Sequence, residues 1–356
     1  MAALAFSEDG GRGEGAQLVF SDQLGDHLIV AQVNSQSGRS NLFSGFTGVA
    51  SYINIKNRIN WGVSAYRLRS VYTSLLEGDF GRGGLEQEGI GIRNDFFESR
   101  WGGSGLVAYP LSKFQRIEGE LTVERNEITE LPNGPEDFDD LFLRDAWLAI
   151  GSFSYIYDNA LWSAAGPIDG QRMNLTVSAV GNVTDTGVES TEVLLDARKY
   201  FRTSLHTTYA VRARGRIATG DVPTFYYLGG PASLRGYPRY LLNGNYTALL
   251  NQEWRFPIIR PGGQREGWAT LLGNGIWGAL FVDVGNAWTD ATTLTASDGT
   301  TRHVGGYPGL LGSYGASLRY PLAGPFILRF DWARRFDIEE TRELFPGEQD
   351  KTHFSF

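Results

Sequence analysis

The residues that could do covalent chemistry are sparse and scattered. His27, His206, His303 and His353 show no HExxH or other paired spacing, so they offer no metal pair. No serine lies in a Gly-x-Ser-x-Gly turn, and the absence of cysteine removes the thiol nucleophile and any Cys-ligated metal. An acidic run at 136–140 has carboxylates for acid–base work or for a divalent ion, but it reads as a solvated loop. The glycine-rich stretches 10–15 and 81–84 lack the lysine and helix of a phosphate-binding loop. These residues predict no enzyme, no cofactor and no resident metal. The stretch that stands out is built for noncovalent chemistry: residues 225–240, FYYLGGPASLRGYPRY. Gly229, Gly230, Pro231, Gly236 and Pro238 punctuate it, aromatics crowd it, and its charges are Arg235 and Arg239. A guanidinium presents a planar donor fork that suits a carboxylate, and Gly236 beside Arg235 lets the backbone bend. Read alone, the stretch fits a surface loop with incidental aromatics equally well.

The elements that must hold this loop are strands. Arg116, Glu118, Glu120, Thr122 and Glu124 alternate with Ile117, Gly119, Leu121 and Val123. Ser204, His206, Thr208, Arg212, Arg214 and Arg216 share a face opposite Leu205, Tyr209, Val211 and Ile217. The same pattern holds at 172–179 and 326–334. Successive side chains on a strand point to opposite faces, so each of these has one wet and one greasy side. A soluble sandwich would also alternate. Here the polar faces carry charges of both signs on neighbouring strands, and aromatics such as Trp254, Tyr320, Trp332 and Phe354 lie near strand ends. That combination fits a transmembrane β-barrel, with an apolar outer band, aromatic girdles and a polar lumen. Such a sheet cannot leave an edge open in hydrocarbon, so the expectation is an all-β, closed antiparallel barrel.

The chain has 356 residues, no cysteine and a net charge of −8, which argues against a nucleic-acid partner. No apolar run is long enough for a transmembrane helix. MAALAFSEDG lacks the basic leader and apolar stretch of a signal peptide, so an exported chain would have its signal removed or upstream, with Met1 opening a fragment. Strands are expected at 16–20, 27–34, 43–55, 60–72, 101–109, 114–125, 143–157, 171–181, 189–198, 204–217, 246–258, 276–288, 311–320, 326–335 and 352–356. A short first strand at 4–7 would bring the count to 16, all within one domain over 1–356. Short connections at 21–26, 54–60, 110–113, 199–203 and 321–324 alternate with long ones at 75–94, 126–141, 221–244, 290–307 and 337–351. Short turns face the periplasm and long loops the outside. The connections 259–275 and 180–189 blur the rule.

Several features in order carry a resemblance. They are YLGGPASLRGY with its core Arg235–Gly236–Tyr237, then Asn251–Gln252–Glu253 with Phe256–Pro257, FVDVGNAW at 281–288, GSYGASLRYPL at 312–322, and a terminal Phe356. Upstream, Tyr157–Asp158–Asn159, Gly166–Pro167 and Gly170 are similar to a mid-barrel periplasmic turn. Together they resemble the BamA/TamA superfamily of outer-membrane assembly and translocation barrels, the bacterial surface antigen family. The likeness covers 143–356 and, more loosely, 15–125.

The resemblance implies that loop 221–244 is the sixth outer loop, folded into the lumen, with its arginine on acidic residues of the inner wall. Parity places Glu253 and Asp283 on that wall, so the implied lock is Arg235, Gly236 and Tyr237 with Glu253 and Asp283, and Gly229 and Gly230 shape the loop. A purely stiffening role would need the same contacts. It also implies that Phe354 and Phe356 form a C-terminal sorting signal beside a weak seam between the first and last strands. The soluble domains that precede such barrels are missing from this sequence. The implied function is assisted insertion or translocation of client outer-membrane or secreted proteins at the bacterial outer membrane. The implied partners are those clients, outer-membrane lipid and lipopolysaccharide, and periplasmic accessory proteins. The alternatives are a passive pore, an anchor for an upstream domain, or an outer-membrane hydrolase.

Overall fold

The computed structural model describes residues 13–36, 46–75, 93–130, 144–163, 166–183, 187–238, 241–260, 275–290, 292–295, 301–304, 309–321, 327–336, 338 and 352–355. Every regular element among them is a strand. The first half contains β1 (Gly13–Ser21), β2 (His27–Gln36), β3 (Phe46–Asn54), β4 (Asn60–Leu75), β5 (Arg93–Pro110), β6 (Gln115–Glu130) and β7 (Arg144–Asp158). Then come β8 (Leu161–Ser163), β9 (Gly166–Asn182), β10 (Gly187–Arg202), β11 (Thr208–Thr219), β12 (Tyr226–Leu228), β13 (Leu242–Gly244) and β14 (Tyr246–Ile259). The chain finishes with β15 (Ile276–Trp288), β16 (Thr292–Thr295), β17 (Thr301–Val304), β18 (Leu311–Pro321), β19 (Ile327–Arg335) and β20 (His353–Ser355).

One 16-stranded antiparallel sheet makes the wall. Fifteen strands follow in chain order, β1 to β7, β9, β10, β11, β14, β15, β18, β19 and β20, and β8 adds a short hairpin against the start of β9. Among the described residues no ladder joins β1 to β20. The pairs β12–β13 and β16–β17 stand apart, each within a long loop. All fifteen expected strands have a counterpart, and β15 has the expected ends.

Several expectations need correction. β5 begins at Arg93 rather than 101, and β6 runs on to Glu130. The segment from 204 is not strand. β10 continues to Arg202, and 203–207 is a turn in which Ser204 Oγ accepts from the backbone N–H groups of His206 and Thr207, both at 3.2 Å. The loop at 221–244 carries its own two-stranded ladder, Tyr226–Leu228 with Leu242–Gly244. Segments 4–7, 81–84 and 136–140, together with Arg239 and Phe356, lie outside the described residues.

The sheet is greasy outside and polar inside, the reverse of a soluble protein. On β6 the outward Leu121 is 61% exposed, whereas inward Glu124 is 3% exposed and accepts from Tyr66 Oη of β4 at 2.5 Å. Outward Val193 and Leu195 of β10, Leu250 and Trp254 of β14, Leu280 and Val282 of β15, and Leu328 and Trp332 of β19 are all exposed. Between them Asp283, Glu253, Ser313, Ser317 and Asp331 are buried on the inner face. Register puts Trp101 of β5, Arg125 of β6 and Trp147 of β7 in one row across the outer face, with the two indoles 5.0 Å apart edge to face. A wall that meets lipid must have this inside-out pattern.

Leu121 sits in an all-apolar outer row four residues nearer the periplasm than that aromatic row, paired with Gly105 and Gly151. Leu121→Arg is therefore expected to cost about 2–4 kcal/mol in a bilayer, the range for a cation near the midplane of a barrel's lipid face. Thr122→Arg, on the lumen face of the same strand, is expected to cost less. Urea titration of the chain folded in phospholipid vesicles measures both.

Candidate functional site

The loop between β11 and β14 turns inward because its backbone is shaped for it. Gly229, Gly230 and Gly236 have φ of 116°, 84° and 84°, the left-handed region that side chains avoid. At Gly229 a Cβ would stand 2.1 Å from the carbonyl oxygen of Pro238, so the two limbs of the loop meet there in backbone contact. Gly230 N–H donates to Tyr237 O at 2.9 Å, and Ser233 Oγ donates to Gly229 O at 2.8 Å. Leu228, Leu234, Tyr237, Leu241 and Leu242 then pack as one apolar cluster on Leu249 of β14, Ala287 of β15 and Leu311 of β18. A turn-rich segment this apolar is hidden from water by lying on the inner wall.

This packing drives Arg235 into the wall, where it is 4% exposed. Its Nε and Nη2 donate to the two oxygens of Asp283 at 2.6 and 2.7 Å, a bidentate fork. Its backbone N–H also donates to Asp283 Oδ2, at 3.2 Å. Nη1 donates to Glu253 Oε2 at 3.0 Å. The guanidinium lies flat on the Phe281 ring, 3.4 Å from its centroid. Gly315, the β18 partner of Phe281, lies where a Cβ would stand 1.9 Å from the carbonyl oxygen of Trp332 and 2.8 Å from the Phe281 ring. Glycine in GSYGASLRYPL is thus a space for the neighbouring backbone and for the platform under the arginine.

The two carboxylates are themselves shared. Asp283 Oδ1 also accepts from Asn251 Nδ2 at 2.7 Å, and the same amide donates to Ser233 O at 2.8 Å. Glu253 accepts from Arg319 Nη2 at 2.7 Å and Arg255 Nε at 2.5 Å. Three guanidiniums therefore meet two carboxylates. Arg255 reaches further, donating to Pro167 O at 3.3 Å in the β8–β9 hairpin, so one chain of polar contacts runs from the turn after β7 to the loop. Tyr237 Oη donates to Gly312 O at 3.0 Å, and Arg335 Nε donates to Gly236 O at 2.9 Å. Arg329 donates to Pro231 O and pairs with Asp331.

All five residues of the expected lock are thus together: Arg235, Asp283 and Glu253 in direct contact, with Gly236 and Tyr237 bound to the wall beside them. Arg319, Arg255, Phe281, Arg329 and Arg335 are further members. Inward parity marks each of them, but nothing in the alternation says which inward arginine reaches which acid. At the other expected site, β20 pairs with β19 at three positions, and Phe354 is opposite Trp332 in that register.

Breaking a buried ion pair by removing one partner costs roughly 3–5 kcal/mol. Arg235→Ala leaves two buried carboxylates short of donors and is expected to lose about that much. Arg235→Lys, which lacks the bidentate fork, is expected to recover only part of it. Urea unfolding in vesicles reads both, and protease cleavage within 221–244 reports whether the loop has left the wall.

No curated protein matches this sequence. Among solved structures, BamA from Haemophilus ducreyi lacking POTRA domains 1–3 aligns at TM-score 0.66 and 13% identity, over 98% of this chain and 67% of that one. CdiB from Acinetobacter baumannii aligns at TM-score 0.55 and 12% identity, and CdiB from Escherichia coli at 0.57 and 13%. Each covers 91% of this chain, which spans 53% and 55% of theirs, about half. At such identities the likeness establishes the barrel fold. The Omp85 superfamily domain matches residues 55–356, most of the wall and the whole of the site described above. The chain therefore belongs to the Omp85 superfamily and is a β-barrel of the bacterial outer membrane.

Proposed function

We propose that this barrel assists the insertion or translocation of other outer-membrane or secreted polypeptides through a weak seam between its first and last strands. The observation that carries the reading is the mismatch at that seam. Among the described residues no ladder joins β20 to β1, and β20 pairs with the nine-residue β19 at three positions, while β1 pairs with β2 at nine. Few ladder hydrogen bonds hold such a closure, and an unpaired strand edge is a template for an incoming strand. Membership of the Omp85 superfamily supports a role in handling client barrels or secreted chains. On this reading the protein makes and breaks no covalent bond and works with its clients, the surrounding lipid and lipopolysaccharide, and periplasmic accessory proteins. The loop bound through Arg235 holds the lumen while the seam works. It also obstructs the lumen, which weighs against a passive pore.

The test is insertion of an unfolded barrel into proteoliposomes that contain this chain, Arg235→Ala, or no protein. Circular dichroism checks that the variant is still β-sheet. The expected outcome is faster insertion with the intact chain and a loss of that gain with the folded variant. Equal rates in all three would make the barrel a pore or an anchor, and conductance would then separate those two.

A further inference from the structure

We infer that the lumen beneath the loop contains a binding site for a small oxyanion of the phosphate type. A cavity of about 220 Å³ lies between loop residues Pro231–Arg235 and the inner faces of β10, β11, β14, β18 and β19. Six arginines line it, Arg198, Arg212, Arg235, Arg255, Arg319 and Arg329, and Glu253 is its one acidic lining residue. Their carboxylate partners are Asp196, Glu253, Asp283 and Asp331. Among the described residues six cations thus meet four anions, an excess of two positive charges.

Hydrogen bonding points the same way. Arg319 is 9% exposed, and among the described residues its Nε has no acceptor although its Nη2 reaches Glu253. Arg214 and Arg216 continue the inward arginine face of β11, and among the described residues their buried Nε atoms have no hydrogen-bond acceptor either. Asp196 is the cross-strand partner of Arg214 but is already bonded by Arg198 and Arg212. Three buried guanidinium nitrogens on one wall therefore need acceptors. Buried donors are normally satisfied, and leaving one unmade costs about 1–3 kcal/mol.

A tetrahedral oxyanion supplies acceptors in several directions, which suits guanidinium forks converging from five strands. The cavity has room for such an ion with a few waters, each occupying about 30 Å³. It is too small for a peptide segment, and the wall separates it from lipid. A bound anion would tie wall arginines together beside the loop limb Pro231–Ser233.

The experiment uses the full chain refolded in uncharged maltoside micelles, with inorganic phosphate as the probe in titration calorimetry and sodium chloride at matched ionic strength as the reference. Saturable binding of one phosphate is expected, with a rise in unfolding temperature that chloride does not give. Arg198→Gln on β10 and Arg255→Gln on β14 are each expected to weaken it by roughly tenfold or more, the size of one lost charge-assisted hydrogen bond. Arg202→Gln, at the exposed end of β10, is expected to leave it unchanged, and circular dichroism confirms the fold of each variant. The proposal is overturned by absence of saturable binding, by an equal effect of chloride, or by an equal loss in Arg202→Gln.

Discussion

The interior of this barrel depends on the burial of one guanidinium. Arg235 carries its charge into a place where water cannot solvate it, so its partners must be provided in full. Asp283 and Glu253 supply the opposite charge, Phe281 supplies a π face, and Asn251 fixes the orientation of Asp283. Each partner then imposes a demand of its own. Glu253 carries two further arginines, and Phe281 needs a glycine at 315. The motifs spread over β14, β15 and β18 are the connected consequences of seating one arginine.

The second constraint comes from the membrane. Hydrocarbon requires the wall to satisfy its own backbone and to turn apolar side chains outward. The interior is then left with charges of both signs, which must pair with each other or with the loop. In the half of the wall from β10 to β19 the acids do so: Asp196, Glu253, Asp283 and Asp331 are each held by one or more arginines. The loop contributes the apolar cluster that a soluble domain would have at its centre.

Much of this was legible because a two-residue period is hard to mistake. β15 could be read end to end from IWGALFVDVGNAW, where Asp283 breaks an otherwise apolar stretch at inward parity. The period fails where membrane stops imposing it. Residues 93–100 and 126–130 have adjacent phenylalanines or mixed polar residues and are strand nevertheless. The turn at 203–207 misled in the other direction, since Ser204 and His206 continue an alternation that a local hydroxyl cap then terminates. The ladders β12–β13 and β16–β17 are three or four residues long, too short for any period to register. The charge cluster was legible only in part: the motif resemblance supplied the arginine and parity supplied the acids. Which other arginines join them depends on how far across the lumen each side chain reaches, and a linear pattern does not encode that.

The loop's polar contacts fall unevenly around the wall. They go to β10, β11, β14, β15, β18 and β19. β19, the neighbour of the final strand, is pinned at Pro231 and Gly236 by Arg329 and Arg335. The flank of the barrel beside the final strand is thus stapled from within by the loop. A force applied at the C-terminal edge would therefore be carried through β19 into the loop and its buried arginine.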